Sequence, residues 1–126
     1  MADVISNVYT FYNEVSIPDN MRRLLTDTET PLFAVKTFRD TAVFTDKRIL
    51  IGDKQGITGK KIEYATIPYK SIITYAIETA GTFDLDAEIK LTLSGGIRIE
   101  LQFLKDKNMN QLLFRVYDTI TKFVIV

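Results

Sequence analysis

Two stretches near the C-terminal end carry the clearest alternation of apolar and polar positions. Ala87, Ile89, Leu91 and Leu93 alternate with Glu88, Lys90 and Thr92. After Ser94-Gly95-Gly96, Ile97, Ile99, Leu101 and Phe103 alternate with Arg98, Glu100 and Gln102. A period of two puts one face of each strand into a core and leaves the other wet. Because cross-strand partners share a face, the apolar sets predict a hairpin with Leu93 facing Ile97, Leu91 facing Ile99 and Ile89 facing Leu101. Gly96 supplies the positive φ that a three-residue turn requires. The same register sets Lys90 opposite Glu100 on the outer face.

Upstream, residues 32–38, 42–45, 48–51, 61–67 and 71–78 form shorter β-favouring runs. They are separated by turn-like segments at 39–41 and 46–47, a glycine-punctuated loop at 52–60 and a bend at Pro68-Tyr69. About seven strands follow from this pattern. Helical periodicity occupies the two ends. Met109, Leu112, Leu113, Val116, Tyr117, Ile120 and Phe123 form an i, i+3, i+4, i+7 stripe that Asp106 or Asn108 can cap. Residues 4–15 also repeat apolar side chains at helical spacing, and Pro18 or Asp19 can start a second short helix. The expected division is an N-terminal helical extension over 1–30 and a β-rich domain with its terminal helix over 31–126, in one structural unit.

At 126 residues the chain holds one core. Sixteen basic residues balance sixteen acidic ones, so the basic surplus of a phosphate-neutralising protein is missing and nucleic acid is not an expected partner. Zero net charge leaves little repulsion between copies. The chain has no cysteine and no histidine, which removes thiol nucleophiles, histidine bases, disulfides and cysteine- or histidine-built zinc sites. That composition fits a reducing cytoplasm. No apolar run has the length of a membrane span, and no export leader is expected.

The central region resembles the bacterial pleckstrin-homology-like family. The likeness rests on Arg39-Asp40, Val43-Phe-Thr-Asp-Lys-Arg-Ile-Leu-Ile51, Asp53-Lys-Gln-Gly-Ile-Thr-Gly-Lys-Lys61 and Ile67-Pro-Tyr-Lys-Ser-Ile72. It extends through Glu78-Thr-Ala-Gly81, Phe83-Asp-Leu-Asp-Ala-Glu-Ile-Lys90 and Ser94-Gly95. The resemblance implies a mainly β fold with α: a PH-like barrel of two nearly orthogonal antiparallel sheets, capped by the C-terminal helix. It also implies homo-oligomers, ring-shaped ones included, and a biochemical role that is largely undefined. Residues 4–15 and the 123–126 tail match no family motif.

Candidate chemistry is sparse. Better-known PH domains bind phosphoinositides with a basic pair on their second strand; Lys36 and Arg39 offer one half of such a clamp, but 41–45 has no basic residue. Lys54, Lys60 and Lys61 surround a glycine-rich loop that offers a nest for an anion or a contact with a membrane surface. The spacing falls short of a nucleotide-binding loop, and solvated lysines are the plainer account. Asp84, Asp86 and Glu88 make an incomplete calcium set, so no metal and no cofactor is expected. No pair of carboxylates is placed for catalysis, and no catalytic residue is assigned. Tyr9, Phe11 and Tyr12 cover more than one face of a helix, and Phe114 lies off the stripe of the last one. These four are the candidate oligomer interface. The expectation is a non-enzymatic binding or scaffold module that self-associates and takes a protein partner, with an anion- or membrane-binding adaptor as the alternative.

Overall fold

A computed structural model describes residues 8–39, 41–56, 60–80 and 86–126. Eight strands form one sheet: β1 (Val8–Val15), β2 (Pro31–Thr37), β3 (Thr41–Thr45), β4 (Arg48–Gln55), β5 (Lys61–Pro68), β6 (Ile72–Glu78), β7 (Ala87–Leu93) and β8 (Arg98–Phe103). Helix α1 (Asp19–Arg22) follows β1, a 3-10 turn (Tyr69–Ser71) joins β5 to β6, and α2 (Met109–Val124) ends the chain. The strand order is β5-β4-β3-β2-β1-β8-β7-β6.

All seven strands expected, two from alternation and five from β-favouring runs, are present, as β2 to β8. The terminal hairpin adopts the predicted register, with Leu91 opposite Ile99 and Ile89 opposite Leu101. Leu93 donates its N–H to the Ile97 carbonyl at 2.8 Å. Both Gly95 and Gly96 take positive φ, 86° and 82°, which turns the chain within three residues. Lys90 does lie across from Glu100, but its ammonium bonds Glu78 of β6 at 3.2 Å instead. β6 approaches Lys90 from the other side, and the sequence does not place that strand.

The N-terminal helix over 4–15 is corrected. Residues 8–15 form β1, antiparallel to β2 and parallel to β8; residues 4–7 lie outside the described residues. Val8, Tyr9, Thr10, Phe11 and Tyr12 are β-branched or aromatic, side chains that suit a pleated surface. Both neighbouring strands offer backbone partners, and a helix there would leave those groups unpaired. The short helix expected near Asp19 does form, so only this part of the N-terminal helical extension is helical. β1 thereby joins the four strands β2 to β5 to the three strands β6 to β8. The far strands β5 and β6 do not pair, so the expected barrel remains an open sheet.

The inner face carries the main core. Phe11 meets Phe44 and Phe103 edge-on at 6.0 and 5.4 Å, and Phe33 stacks on Phe44 at 4.7 Å. The predicted stripe of α2 closes this core: Met109, Leu112, Leu113, Val116 and Ile120 are buried. Tyr69 stacks on Phe123 at 5.3 Å. On the outer face, Ala34, Val43 and Leu50 are covered by Met21 of α1.

One polar network is enclosed. Glu29 accepts hydrogen bonds from the Thr26 N–H, the Thr45 hydroxyl at 2.8 Å and Arg48, whose Nη2 lies 2.8 Å away. Arg48 also donates to the Leu24 carbonyl and the Thr66 hydroxyl. Thr45 Oγ1 accepts from the Lys47 and Arg48 N–H groups, and Asp46 accepts from the Thr30 N–H. Thr45-Asp46-Lys47-Arg48 is therefore a turn that clamps the 26–30 connection to the sheet.

Burial pushes the Glu29 carboxyl up, but Arg48, the Thr26 N–H and Thr45 together outweigh it and hold the group below its usual range. Its stabilising effect is present above the unfolded carboxylate pKa of about 4.3 and fades as pH falls toward the folded value. Replacing Glu29→Gln leaves the Arg48 charge without its carboxylate partner and should cost about 3 kcal/mol at neutral pH. Denaturant titrations at neutral and acidic pH check this: the gap between wild type and variant should narrow in acid.

Candidate functional site

The fold leaves two places for function: the free edges of the sheet and the mouth of the curved inner face, away from α2. On β4, Ile49 and Ile51 join the main core while Leu50 joins the outer cluster. Alternation continues this pattern, so Asp53 and Gln55 point inward and Lys54 outward. On β5, Ile67 faces inward and Tyr64 outward, which places Glu63 and Lys61 on the inner side. The register confirms the pairing, with Asp53 across from Glu63 and Gln55 across from Lys61.

The lysines of the proposed anion loop are thus separated. Lys54 and Lys61 emerge on opposite faces of the hairpin, and Lys60 is exposed beside the latter. Residues 57–59, which carry the rest of that loop, lie outside the described residues. Arg39 is drawn to the hairpin from the β2–β3 turn. It donates to the Lys54 carbonyl at 2.6 Å and the Gly56 carbonyl at 3.0 Å, and its Nε lies 3.8 Å from Asp53. It holds two hairpin tips together, a role that spacing in sequence did not show. Asp40 and Asp84 lie outside the described residues, and Glu88 sits on the outer face of β7.

The four aromatic interface candidates divide. Phe11 is fully buried and Tyr9 nearly so, both on the inner face of β1, so the structure withdraws them from an exposed contact. The cause is the change from helix to strand, which turns Tyr9 and Phe11 into the protein's own core. Tyr12 is half-buried against the ring of Phe38, which is itself 74% exposed. Phe114 stays exposed beside a groove of about 1100 Å³ between β1 and α2. Arg115 spans that groove, bonded to Glu14 at 3.0 Å with its guanidinium 4.3 Å above the Phe33 ring.

The edge strands differ in chemistry. β5 carries Lys61 and Glu63 and ends at Pro68, all features that discourage strand addition. β6 reads Ile72-Ile-Thr-Tyr-Ala-Ile-Glu78, with charge only at its end and no proline. Ile73 is 62% exposed, and Thr74 and Ala76 are exposed with it. Tyr75 and Ile77 pack inward, where the Tyr75 hydroxyl meets Thr121 at 2.7 Å.

The model of the bacterial PH domain family matches residues 2–124. The chain belongs to the bacterial PH domain family. YjqA of Bacillus subtilis, an uncharacterised protein, is 46% identical over 96 residues, covering 75% of this chain and 77% of its own length. A DUF1696-family protein with a pleckstrin-homology domain from Shewanella loihica superposes with a TM-score of 0.71 at 37% identity, over 89% of this chain and 97% of its own. A pleckstrin-homology domain from Shewanella amazonensis gives 0.61 at 42% identity, over 83% and 82%. None of these proteins is named for a catalytic activity. Among the described residues, no helix of this bacterial PH domain is long and apolar enough to cross a membrane.

Core and surface aromatics should separate experimentally. Phe11→Ala empties a site between two rings and should cost about 4 kcal/mol. Tyr12→Ser and Phe114→Ser should each stay within about 0.5 kcal/mol of wild type. Chemical denaturation of the three variants checks this division.

Proposed function

We propose that this domain is a non-catalytic assembly module that works in the cytoplasm and self-associates through its open sheet edges to form a scaffold for a protein partner. The observation that carries the reading is the β6 edge. An edge strand presents a row of unpaired backbone groups, and soluble domains ordinarily protect it with charge, proline or cover. β6 has its one charge at the terminal Glu78, and Ile73, Thr74 and Ala76 stand exposed along it.

The other edge of a second copy suits it. With β6 laid antiparallel on a neighbour's β5, Glu78 meets Lys61, Ile77 meets Ile62 and Tyr75 meets Tyr64, so charge and apolar positions fall together. This joins two different surfaces. Such head-to-tail contacts close into a ring when the rotation per subunit permits and otherwise extend as a filament. A chain with formal net charge +0 opposes neither outcome. The alternative reading, an anion or membrane contact through Lys54, Lys60 and Lys61, has less support because Lys54 and Lys61 do not share a face.

Light scattering on a sizing column, across a dilution series, tests the proposal. The expected mass is a multiple of 14.4 kDa. Ile73→Lys combined with Ala76→Lys should return the protein to a single-chain mass while leaving its far-UV circular dichroism intact. A wild-type protein that remains at the single-chain mass at every concentration refutes the assembly reading.

A further inference from the structure

Strand β1 outlasts its neighbour β8. The two pair in parallel from Val8 with Glu100 to Phe11 with Phe103, and the Leu104 N–H then donates to the Phe11 carbonyl at 3.3 Å. The chain leaves the sheet through 104–108 to begin α2, while β1 runs on to Val15. Past Phe11 only β2 pairs with β1, through Glu14 with Val35 and Val15 with Ala34. The place beside residues 12–15 that a longer β8 would fill opens instead into the groove of about 1100 Å³ between β1 and α2. A free strand edge is a template for an added strand, and here a helix walls it.

The lining of the groove suits a polypeptide backbone. The chain has eight Asn and Gln residues, and four of them, Asn13, Asn108, Asn110 and Gln111, line this one groove. Among the described residues these four side chains make no hydrogen bond, whereas Asn20, Gln55 and Gln102 are bonded to Tyr64, Asp53 and Thr10. A carboxamide carries the same donor and acceptor as a peptide unit, so it can pair with both. Steps of three and four residues from Asn110 and Gln111 through Phe114 to Asp118 set one stripe of α2 along the groove. That stripe is about 12 Å long and the free edge about 10 Å, room for about four extended residues.

Charge and apolar surface add a preference. Arg115 is committed to Glu14 at 3.0 Å, while Asp118 has no ion pair among the described residues and leaves the groove acidic. Phe114 is 45% exposed beside it. Water solvates any one of these groups. The combination of a free strand edge, a helix wall at matching length and four unbonded amides is what an extended chain uses together. A nucleic acid gains nothing from the strand edge and meets the charge of Asp118.

We infer that this groove docks an extended segment of a partner protein as an added strand on residues 12–15. Asn13, Asn110 and Gln111 read its peptide groups, Phe114 takes an apolar side chain, and Asp118 takes a basic one. The inference deepens the scaffold role proposed above: it rests on the partner half of that reading and not on assembly through β6.

The test is panning of a phage-displayed library of random octapeptides on the full chain, followed by amide NMR titration with the enriched peptides. Enriched sequences should combine apolar and basic residues. Saturable shifts are expected at the backbone amides of 12–15 and at the side-chain NH₂ groups of Asn13, Asn110 and Gln111. At least one amide of 12–15 should exchange more slowly in the complex. Asn110→Ala with Gln111→Ala, both at exposed helix positions, should weaken binding about tenfold and leave the circular dichroism unchanged. Asp118→Lys should weaken the basic peptides. Failure to enrich any peptide, enrichment of acidic ones, shifts confined to 72–78, or equal affinity in the double variant would overturn the assignment. Light scattering reads assembly separately, so a single-chain mass refutes assembly and leaves this site intact. If the double variant instead lowers the mass of a wild-type multimer, the groove holds a second copy and the assignment fails.

Discussion

Backbone hydrogen bonding on both sides of β1 holds the two halves of the sheet together. Without that strand, β2 to β5 and β6 to β8 are separate ribbons, each with an unsatisfied edge facing the other. The parallel pairing of Val8 to Phe11 with Glu100 to Phe103, and the antiparallel pairing with β2, remove both edges at once. The same strand delivers Phe11 to the point where Phe44 of one half and Phe103 of the other converge. Closure at β1 displaces the unpaired edges to the opposite side, where β5 and β6 end the sheet. The core, the open edge and the accessible mouth all follow from where β1 lies.

Strands β7 and β8 and helix α2 were legible because each repeats its apolar residues at the period of the element it forms, and β2 to β6 because short β-favouring runs lie between turn signals. Ile89, Leu91, Ile99 and Leu101 specify face and register together, and a slip of one residue would expose the whole set. Residues 8–15 were not legible in this way. Val8, Tyr9, Phe11, Tyr12 and Val15 satisfy a helical spacing, while Tyr9 and Phe11 also alternate with Val8, Thr10 and Tyr12. Short apolar segments allow both readings, and the decision came from distant strands that local periodicity does not report. Lys90 shows the same limit: its cross-strand neighbour was readable, but its ion pair came from a strand whose position was not.

The polar network around Glu29 was hidden for a related reason. Its carboxylate lies in a segment that reads as a polar connection, sixteen residues before Thr45 and nineteen before Arg48. Only the fold brings them together, and only enclosure makes the pair consequential. Thr45, Asp46 and Arg48 belong to the most recognisable motif of the chain, and their contacts account for that motif as a structural clamp. Arg39 and Asp53, in other motif segments, fasten one hairpin tip to another. Family resemblance in this chain therefore tracks the residues that hold strands in place, which explains how it can predict the fold while leaving the activity open.

What distinguishes the candidate sites is the way each departs from ordinary protection of a folded surface. β5 is guarded by charge and proline and β6 is not, although both end the same sheet. Among the described residues the Tyr69 hydroxyl has a backbone partner and the Tyr9 hydroxyl has no hydrogen bond, although both phenols are buried. In each comparison the fold itself demonstrates the protected solution, so neither departure is a general property of strands or tyrosines here. A domain without histidine or cysteine has few ways to drive covalent chemistry, whereas unpaired backbone groups on an edge strand are a ready template for recognition. The proposed binding role rests on that match between the chemistry the chain contains and the groups its fold leaves unsatisfied.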